Sequence, residues 1–475
     1  MGGGPRDEYD LVILGWGAAA FSAAIRASEL TFGQAKIAMV GIGPLGGTCV
    51  NFGCVPSKYL IEAARIAHER EDPRYPGIPP AQRRVDFAAL MRSLRDEVEA
   101  ERRLKYEDVI AGYDNVDLVE GTASFTGDDA VSVRPPRGGT NLRIRGYNFL
   151  VATGSRPAVP ELKGLREHGY LTSEAIWTLD ELPGELIVIG GGGVGVEMGQ
   201  AFSRLGSGVT IVEAAERLLP RAEPELSIEL SRALESEGVR VLTGSRIVRV
   251  ERRGGGTTLL LEDGGALRAE ELLVAVGRIP NVEGLNLEAA GVEYTGRGIK
   301  VDPTMRTTNP RIYAAGDVVD QELMLETLAA REGVVAAENI YGHAGRRVDP
   351  LTVPWAIFTD PQLASVGYTE ERCAAHLGGC ASRSVGLGAL PRGRIMRRNV
   401  GAFKVVASGG RVVGVHALAP DAAEVISGAA IAVRLGMTLD DVVDSAHVFP
   451  TISEGVKLAA QSFIRDVSRM SCCME

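Results

Sequence analysis

Cys49 and Cys54 stand five residues apart in the string Gly46-Gly47-Thr48-Cys49-Val50-Asn51-Phe52-Gly53-Cys54-Val55-Pro56-Ser57-Lys58. Pro56 suits a first helical turn, where a missing N–H costs nothing. Tyr59–His68, rich in Ala, Ile and Leu, can continue that helix. Cys54 is therefore predicted at the positive end of a helix dipole, which favours a thiolate. Lys58, one turn on, adds positive charge. Gly46, Gly47 and Gly53 let the backbone approach something flat or phosphorylated. The chemistry on offer is that of an activated thiol pair. A second pair, the adjacent Cys472 and Cys473, lies at the chain's end, where neighbouring cysteines suit capture and delivery of a soft metal ion.

Two further segments provide the scaffold for such chemistry. Tyr9–Leu14 reads as a buried parallel strand running into Gly15-Trp16-Gly17-Ala18-Ala19-Ala20 and an Ala-rich helix, Phe21–Leu30. That is G-x-G-x-x-A between strand and helix, a dinucleotide fingerprint. Its glycines let backbone N–H groups reach a pyrophosphate at the helix N-terminus. The next strand, Ile37–Val40, should end in an acid for the ribose hydroxyls, but the position holds Gly41. Leu186–Ile189 is a second buried strand, followed by Gly190, Gly192 and Gly195 in a full G-x-G-x-x-G and a helix through Glu197 and Phe202. Here the following strand, from Val209, does end in an acid, Glu213, placed to bind the ribose of NADH and repel the 2′-phosphate of NADPH. Two fingerprints imply two dinucleotides.

The rest reads more coarsely. Val85–Ile110 is predicted as one amphipathic helix, with Phe87, Leu90, Met91, Leu94 and Val98 at helical spacing and Tyr106 at its far end. Val116–Arg145 reads as antiparallel strands, and Glu322–Tyr341 as a helix. Beyond Asp349, antiparallel strands (Phe403–Ala407, Val412–Ala419) and helices (Glu424–Leu435, Leu439–Val443) follow. Cys373 and Cys380 lack metal-ligand partners at a recognisable spacing and are read as incidental.

A chain of 475 residues needs roughly three or four domains. A hydrophobic share of 45% with 24% charged residues describes a soluble globular protein, and a net charge of −10 argues against nucleic acid as a partner. No uninterrupted apolar run reaches membrane-spanning length, and the N-terminus lacks a signal peptide's apolar core. A cytoplasmic location is expected, with cysteines that are catalytic, metal-binding or merely buried.

The GGTCxxxGCxPSK string resembles the redox-active motif of the flavin-dependent disulfide reductases, and the chain from Tyr9 to Cys473 resembles their mercuric reductase branch. The fold implied is α/β: two Rossmann-like dinucleotide-binding domains, for FAD and NAD(P), plus a C-terminal α+β dimerisation domain. The implied boundaries are 1–156 and 281–348 for the FAD-binding segments, 157–280 for the NAD(P) domain and 349–475 for the dimerisation domain with its tail. The resemblance makes Cys49–Cys54 a redox-active disulfide. It puts Gly47, Thr48, Lys58, Thr153, Gly154, Gly277 and Asp317 at the cofactors, with Ala18 and Ala19 in the first fingerprint. Glu197 is expected near the nicotinamide, paired with Lys58, and Tyr106 near the metal.

Disulfide reductases of this group carry H-P-T-x-x-E near the C-terminus, where the histidine serves as acid/base. The matching string here is Phe449-Pro450-Thr451-Ile452-Ser453-Glu454, and phenylalanine transfers no proton. His447 is two residues too early. Reduction of Hg(II) to Hg(0) needs no proton given to the metal, so the resemblance implies Hg(II)–thiol complexes as substrate. They would be captured by Cys472 and Cys473 and passed to Cys49 and Cys54 of the partner in a homodimer. Mercuric reductases usually take NADPH, whereas Glu213 suggests NADH. A thiol–disulfide reductase fits Phe449 poorly, and a metal carrier has no use for two nucleotide fingerprints.

Overall fold

The structure is a computed structural model describing residues 7–82, 84–253, 256–342 and 345–470. The chain forms two compact units, one drawn from Met1–Pro56, Arg92–Ala158 and Arg278–Pro350, the other from Ser57–Met91, Val159–Gly277 and Leu351–Glu475.

The first unit is built on β1 (Glu8–Leu14), β2 (Ile37–Gly41), β3 (Val116–Glu120), β4 (Thr122–Phe125), β5 (Ala130–Arg134) and β6 (Leu142–Val151), in the order β3-β2-β1-β6-β5-β4. Ile312–Ala314 adds a parallel strand on β6. Leu11, Val12 and Ile13 of β1 are fully buried, as a parallel strand covered on both faces requires. Helix α1 (Ala18–Leu30) presents Ala19, Ala20, Ala23, Ala24 and Ala27 inward. Its small residues admit the Glu326–Ile340 helix so closely that a Cβ on Gly333 would lie 2.1 Å from the Ala19 oxygen.

Several expectations need correcting. Val116–Glu120 is not part of an antiparallel run: it pairs parallel with β2 and closes the nucleotide sheet, while β4, β5 and β6 are antiparallel. Apolar–polar alternation reports a half-buried strand and is blind to its direction. The helix expected from Glu322 starts at Glu326, with Leu325 as its N-cap. The helix expected over Val85–Ile110 is α4 (Phe87–Arg102), continued by a π-helical turn at Arg103–Glu107 and a last turn at Asp108–Ile110.

The second unit holds a five-stranded parallel sheet in the order Arg240–Leu242, Gly208–Val212, Glu185–Ile189, Glu271–Val274, Leu171–Thr172. It also holds an antiparallel sheet in which Trp355–Ile357, Gln362–Gly367, Arg411–Ala419, Ala402–Ser408 and Cys380–Gly386 follow one another. Lys404 is buried on that sheet with its ammonium 2.8 Å from Glu223, 2.7 Å from Glu225 and 2.7 Å from Glu370. A buried cation so surrounded fixes geometry more than it adds stability. Cys373 and Cys380 are not incidental: they form a disulfide between the Glu370–His376 helix and the Cys380–Gly386 strand. The reversal at Leu377-Gly378-Gly379 brings their Cα atoms to 5.9 Å, within bonding range.

Candidate active site

The thiol pair straddles two helix starts. Cys49 lies in the middle of α2 (Gly47–Asn51), and Cys54 is the first residue of the 16-residue α3 (Cys54–Glu69), where the positive helix end was expected. Gly46 caps α2 with φ +86°, and a Cβ there would sit 2.5 Å from Val50 and 2.9 Å from the Tyr106 ring. The Asn51 amide donates to the carbonyls of Leu45 and Gly47, each at 2.8 Å, and ties the loop down. Arg102 in turn donates to the Asn51 oxygen at 3.2 Å.

Cys49 and Cys54 are free thiols in hydrogen-bonding contact. That bond to Cys54, together with burial, raises the Cys49 thiol far above its ordinary range. Tyr106 is carried to the pair by the π-helical turn, a feature frequent at functional sites. Its ring packs edge-on against Phe21 with centroids 4.9 Å apart. Burial, reinforced by the charges of Cys49, Glu326 and Cys54, pushes its phenol up to about 12. Tyr106 therefore stays a neutral donor at physiological pH.

Around this loop the residues fit a flavin dinucleotide. Gly15 takes φ +120°, and a Cβ on it would lie 2.1 Å from the Ala152 oxygen, so β1 and β6 close tightly beneath the turn. Gly17 is the N-cap of α1 and gives no side-chain cap, leaving the N–H groups of Ala18 and Ala19 for a phosphate. A Cβ on Gly47 would be 2.8 Å from the Gly17 Cα, so two bare backbones form one cradle. Thr153 and Asn281 bind each other's carbonyls at 2.8 and 2.9 Å, which fixes the turn at Gly154. Asp317 accepts a 2.6 Å bond from Ser155, itself held by Arg278 at 2.6 Å. Arg278 also reaches Thr48 at 3.4 Å and follows directly on Gly277.

In the second unit, Gly190, Gly192 and Gly195 turn the Glu185–Ile189 strand into the Gly193–Leu205 helix, whose N-cap Gly192 is likewise uncapped by a side chain. Glu213 accepts from the backbone N–H of Gly191 at 2.6 Å and of Ala215 at 2.7 Å. Lys58 and Glu197 are joined at 2.9 Å, as expected from the resemblance. Glu197 also accepts from the Phe358 N–H at 2.8 Å, and the Lys58 ammonium lies 4.6 Å over the Phe358 ring. Phe358, Ser155 and Arg278 escaped sequence reasoning. Arg278 stood in a motif of which only the glycine was used. The others have no spacing to mark them.

In the Phe449 string the histidine position holds a side chain that cannot carry a proton. Glu454 accepts from the Thr451 N–H at 3.0 Å, and Phe449 is 48% exposed. His447 is half-buried and donates to the Ser445 carbonyl of its own turn at 3.0 Å. Cys472 and Cys473 lie outside the described residues.

Residues 9–333 match the model of the pyridine nucleotide-disulphide oxidoreductase family, and residues 353–460 match that family's dimerisation domain. The chain belongs to this family, which implies FAD, a pyridine nucleotide, the redox-active cysteine pair and a homodimer. Among curated relatives, the mercuric reductase of Staphylococcus aureus is 39% identical over 98% of this chain and 84% of its own length. That of Streptomyces lividans is 40% identical over 98% of both chains. A solved copper(II) complex of the HOCl-induced flavoprotein disulfide reductase RclA from Escherichia coli superposes with a TM-score of 0.84 at 27% identity, covering 97% of this chain and all of that one. Among the described residues no helix is long and apolar enough to cross a membrane.

Proposed function

We propose that this chain reduces Hg(II) to Hg(0) with electrons from NADH passed through FAD, in the cytoplasm, as a mercury-detoxifying enzyme. The observation that carries the reading is a complete thiol site in a chain whose acid/base position is Phe449, within a sequence similar throughout to mercuric reductases. Residues 1–156 and 281–348 serve FAD, 157–280 the nucleotide and 349–475 the dimer. Bound FAD supplies the two-electron link between nicotinamide and metal.

Cys49 and Cys54 hold the metal. A soft cation replaces the thiol protons and binds two thiolates. Tyr106, neutral and fixed by Phe21, lines that position. Glu197, anchored by Lys58 and the Phe358 N–H, shapes the nicotinamide pocket. Cys472 and Cys473 of one subunit deliver the metal to the other. The net reaction balances as NADH, one proton and a Hg(II) bis-thiolate giving NAD⁺, Hg(0) and two thiols. Unlike dithiol–disulfide exchange, it asks for no proton at Phe449. Glu213, aimed by two backbone amides, favours NADH over NADPH.

The test is anaerobic oxidation of NADH and NADPH by the purified protein, with Hg(II) in excess thiol, beside lipoamide and oxidised glutathione. Turnover with Hg(II) alone is expected. Turnover with a disulfide and none with Hg(II) would refute the reading and return the chain to thiol–disulfide reduction.

A further inference from the structure

The missing ribose acid at Gly41 is a steric exclusion. A Cβ at Gly41 would lie 2.5, 2.8 and 2.9 Å from Cδ2, Cε2 and Cε3 of Trp16. Those atoms belong to the body of the indole, and Trp16 is only 8% exposed, so the ring cannot swing aside at little cost. Trp16 is the middle residue of Gly15-Trp16-Gly17, and its carbonyl accepts from the Gly46 N–H at 3.0 Å. The side chain that intrudes on position 41 is thus pinned between the fingerprint turn and the thiol loop.

The neighbouring strand supplies a carboxylate. β2 and β3 pair parallel with Gly41 in register with Glu120, and the Gly121 N–H continues the ladder to the Gly41 carbonyl at 2.8 Å. Residues in register on neighbouring strands share a face, about 4.8 Å apart. Along β3, the edge strand of the sheet, Leu118 and Glu120 are exposed while Val119 between them is buried, so the Glu120 side chain is open to solvent at the sheet's edge. Among the described residues its carboxylate has no hydrogen bond or ion pair. An acid thus stands one strand further out, at the same level of the sheet.

We propose that Glu120 on β3 binds the adenosine ribose of FAD in place of an acid at the end of β2, and that Trp16 occupies the room such an acid would need. The assignment rests on the family's FAD alone and holds whatever substrate the enzyme reduces. A carboxylate accepting from the two ribose hydroxyls makes the charge-assisted bonds that the position-41 acid would have made.

The experiment compares holoenzyme loaded with FAD and holoenzyme loaded with an FAD analogue lacking both adenosine-ribose hydroxyls, following flavin release by fluorescence after dilution. The parent should release the analogue about tenfold faster than FAD, the loss expected for a hydrogen bond to a charged group. Glu120→Ala should release FAD about tenfold faster than the parent and the analogue at the parent's rate. In the Glu120→Ala background, Trp16→Ala with Gly41→Glu should restore slow FAD release, and Gly41→Glu alone should not. Unchanged FAD release in Glu120→Ala would overturn the assignment. So would equal acceleration of both ligands, which would make Glu120 merely structural. Recovery by Gly41→Glu alone would overturn the role of Trp16.

Discussion

Glu213 has both carboxylate oxygens occupied by backbone N–H groups, those of Gly191 and Ala215, so it is held fast against the second fingerprint, where the proposed reading puts the nucleotide's adenosine ribose. A carboxylate so fixed cannot turn away from a 2′-phosphate. The nearest cation in sequence, Arg217, turns one guanidinium nitrogen to the Pro220 carbonyl at 2.7 Å. NADH should therefore give the higher kcat/KM, and Glu213→Ala should raise the NADPH/NADH ratio by at least about tenfold, mostly through KM. Steady-state kinetics with both nucleotides will show it, and an unchanged ratio would remove Glu213 from the choice. Glu332 is a residue of another kind. It is almost fully buried and accepts from the Gly316 N–H at 2.6 Å, and burial pushes its carboxyl up from 4.5 to about 8. A carboxyl raised on folding binds its proton more tightly in the native chain. Its contribution to stability is thus complete below about pH 4.5 and is lost as pH rises through about 8. Glu332→Gln keeps the acceptor without the charge. Its melting temperature relative to the parent's should climb from about pH 6 to about pH 9, and a constant difference would mean that Glu332 does not titrate in the native chain.

At the scale of elements, what could be read from the sequence was what depends on local periodicity and turn chemistry. Both strand–glycine–helix units, the Glu213 strand and the helix behind Cys54 are dictated within a dozen or so residues, and the structure has them all. Long-range choices were hidden. The direction of Val116–Glu120 is decided by β2, some 75 residues earlier, and the π-helical turn that carries Tyr106 inserts its extra residue without a Pro or Gly to announce it. Likewise Cys373 and Cys380 looked incidental because a pair closed by a tight reversal has no motif beyond the reversal itself. That disulfide clips the Glu370–His376 helix onto its strand, and Glu370 at the helix start binds buried Lys404. Closing so short a loop is worth roughly 2.5 kcal/mol by chain entropy. Cys373→Ala/Cys380→Ala should accordingly lower the melting temperature by a few degrees and abolish its dependence on added reductant. A parent whose melting is indifferent to reductant would show that the pair carries no such load.

For the whole molecule the question is whether the two thiol pairs work within one chain or across two. Residues 353–460 are a dimerisation domain, and the chain runs on past it to Cys472 and Cys473. In a two-fold dimer each chain offers one tail and one Cys49/Cys54 site, and delivery in cis or in trans gives the same activity in the parent. Hybrids separate the two. A Cys49→Ser chain keeps its tail and loses its site, while a Cys472→Ala/Cys473→Ala chain keeps its site and loses its tail. Each alone should be nearly inactive when Hg(II) is held by excess bulky thiol. Unfolded and refolded together in equal amounts, half of the dimers pair one chain of each kind. Delivery in trans then gives every such hybrid one intact route, and about a quarter of the parent's turnover returns. Delivery in cis leaves every chain lacking either tail or site, and nothing returns. With small thiols as carrier, metal reaches Cys49 and Cys54 unaided, so the tail-less chain should be active there by itself. If it is inactive in that assay too, the tail cysteines serve the fold or the reaction itself, and the delivery role fails.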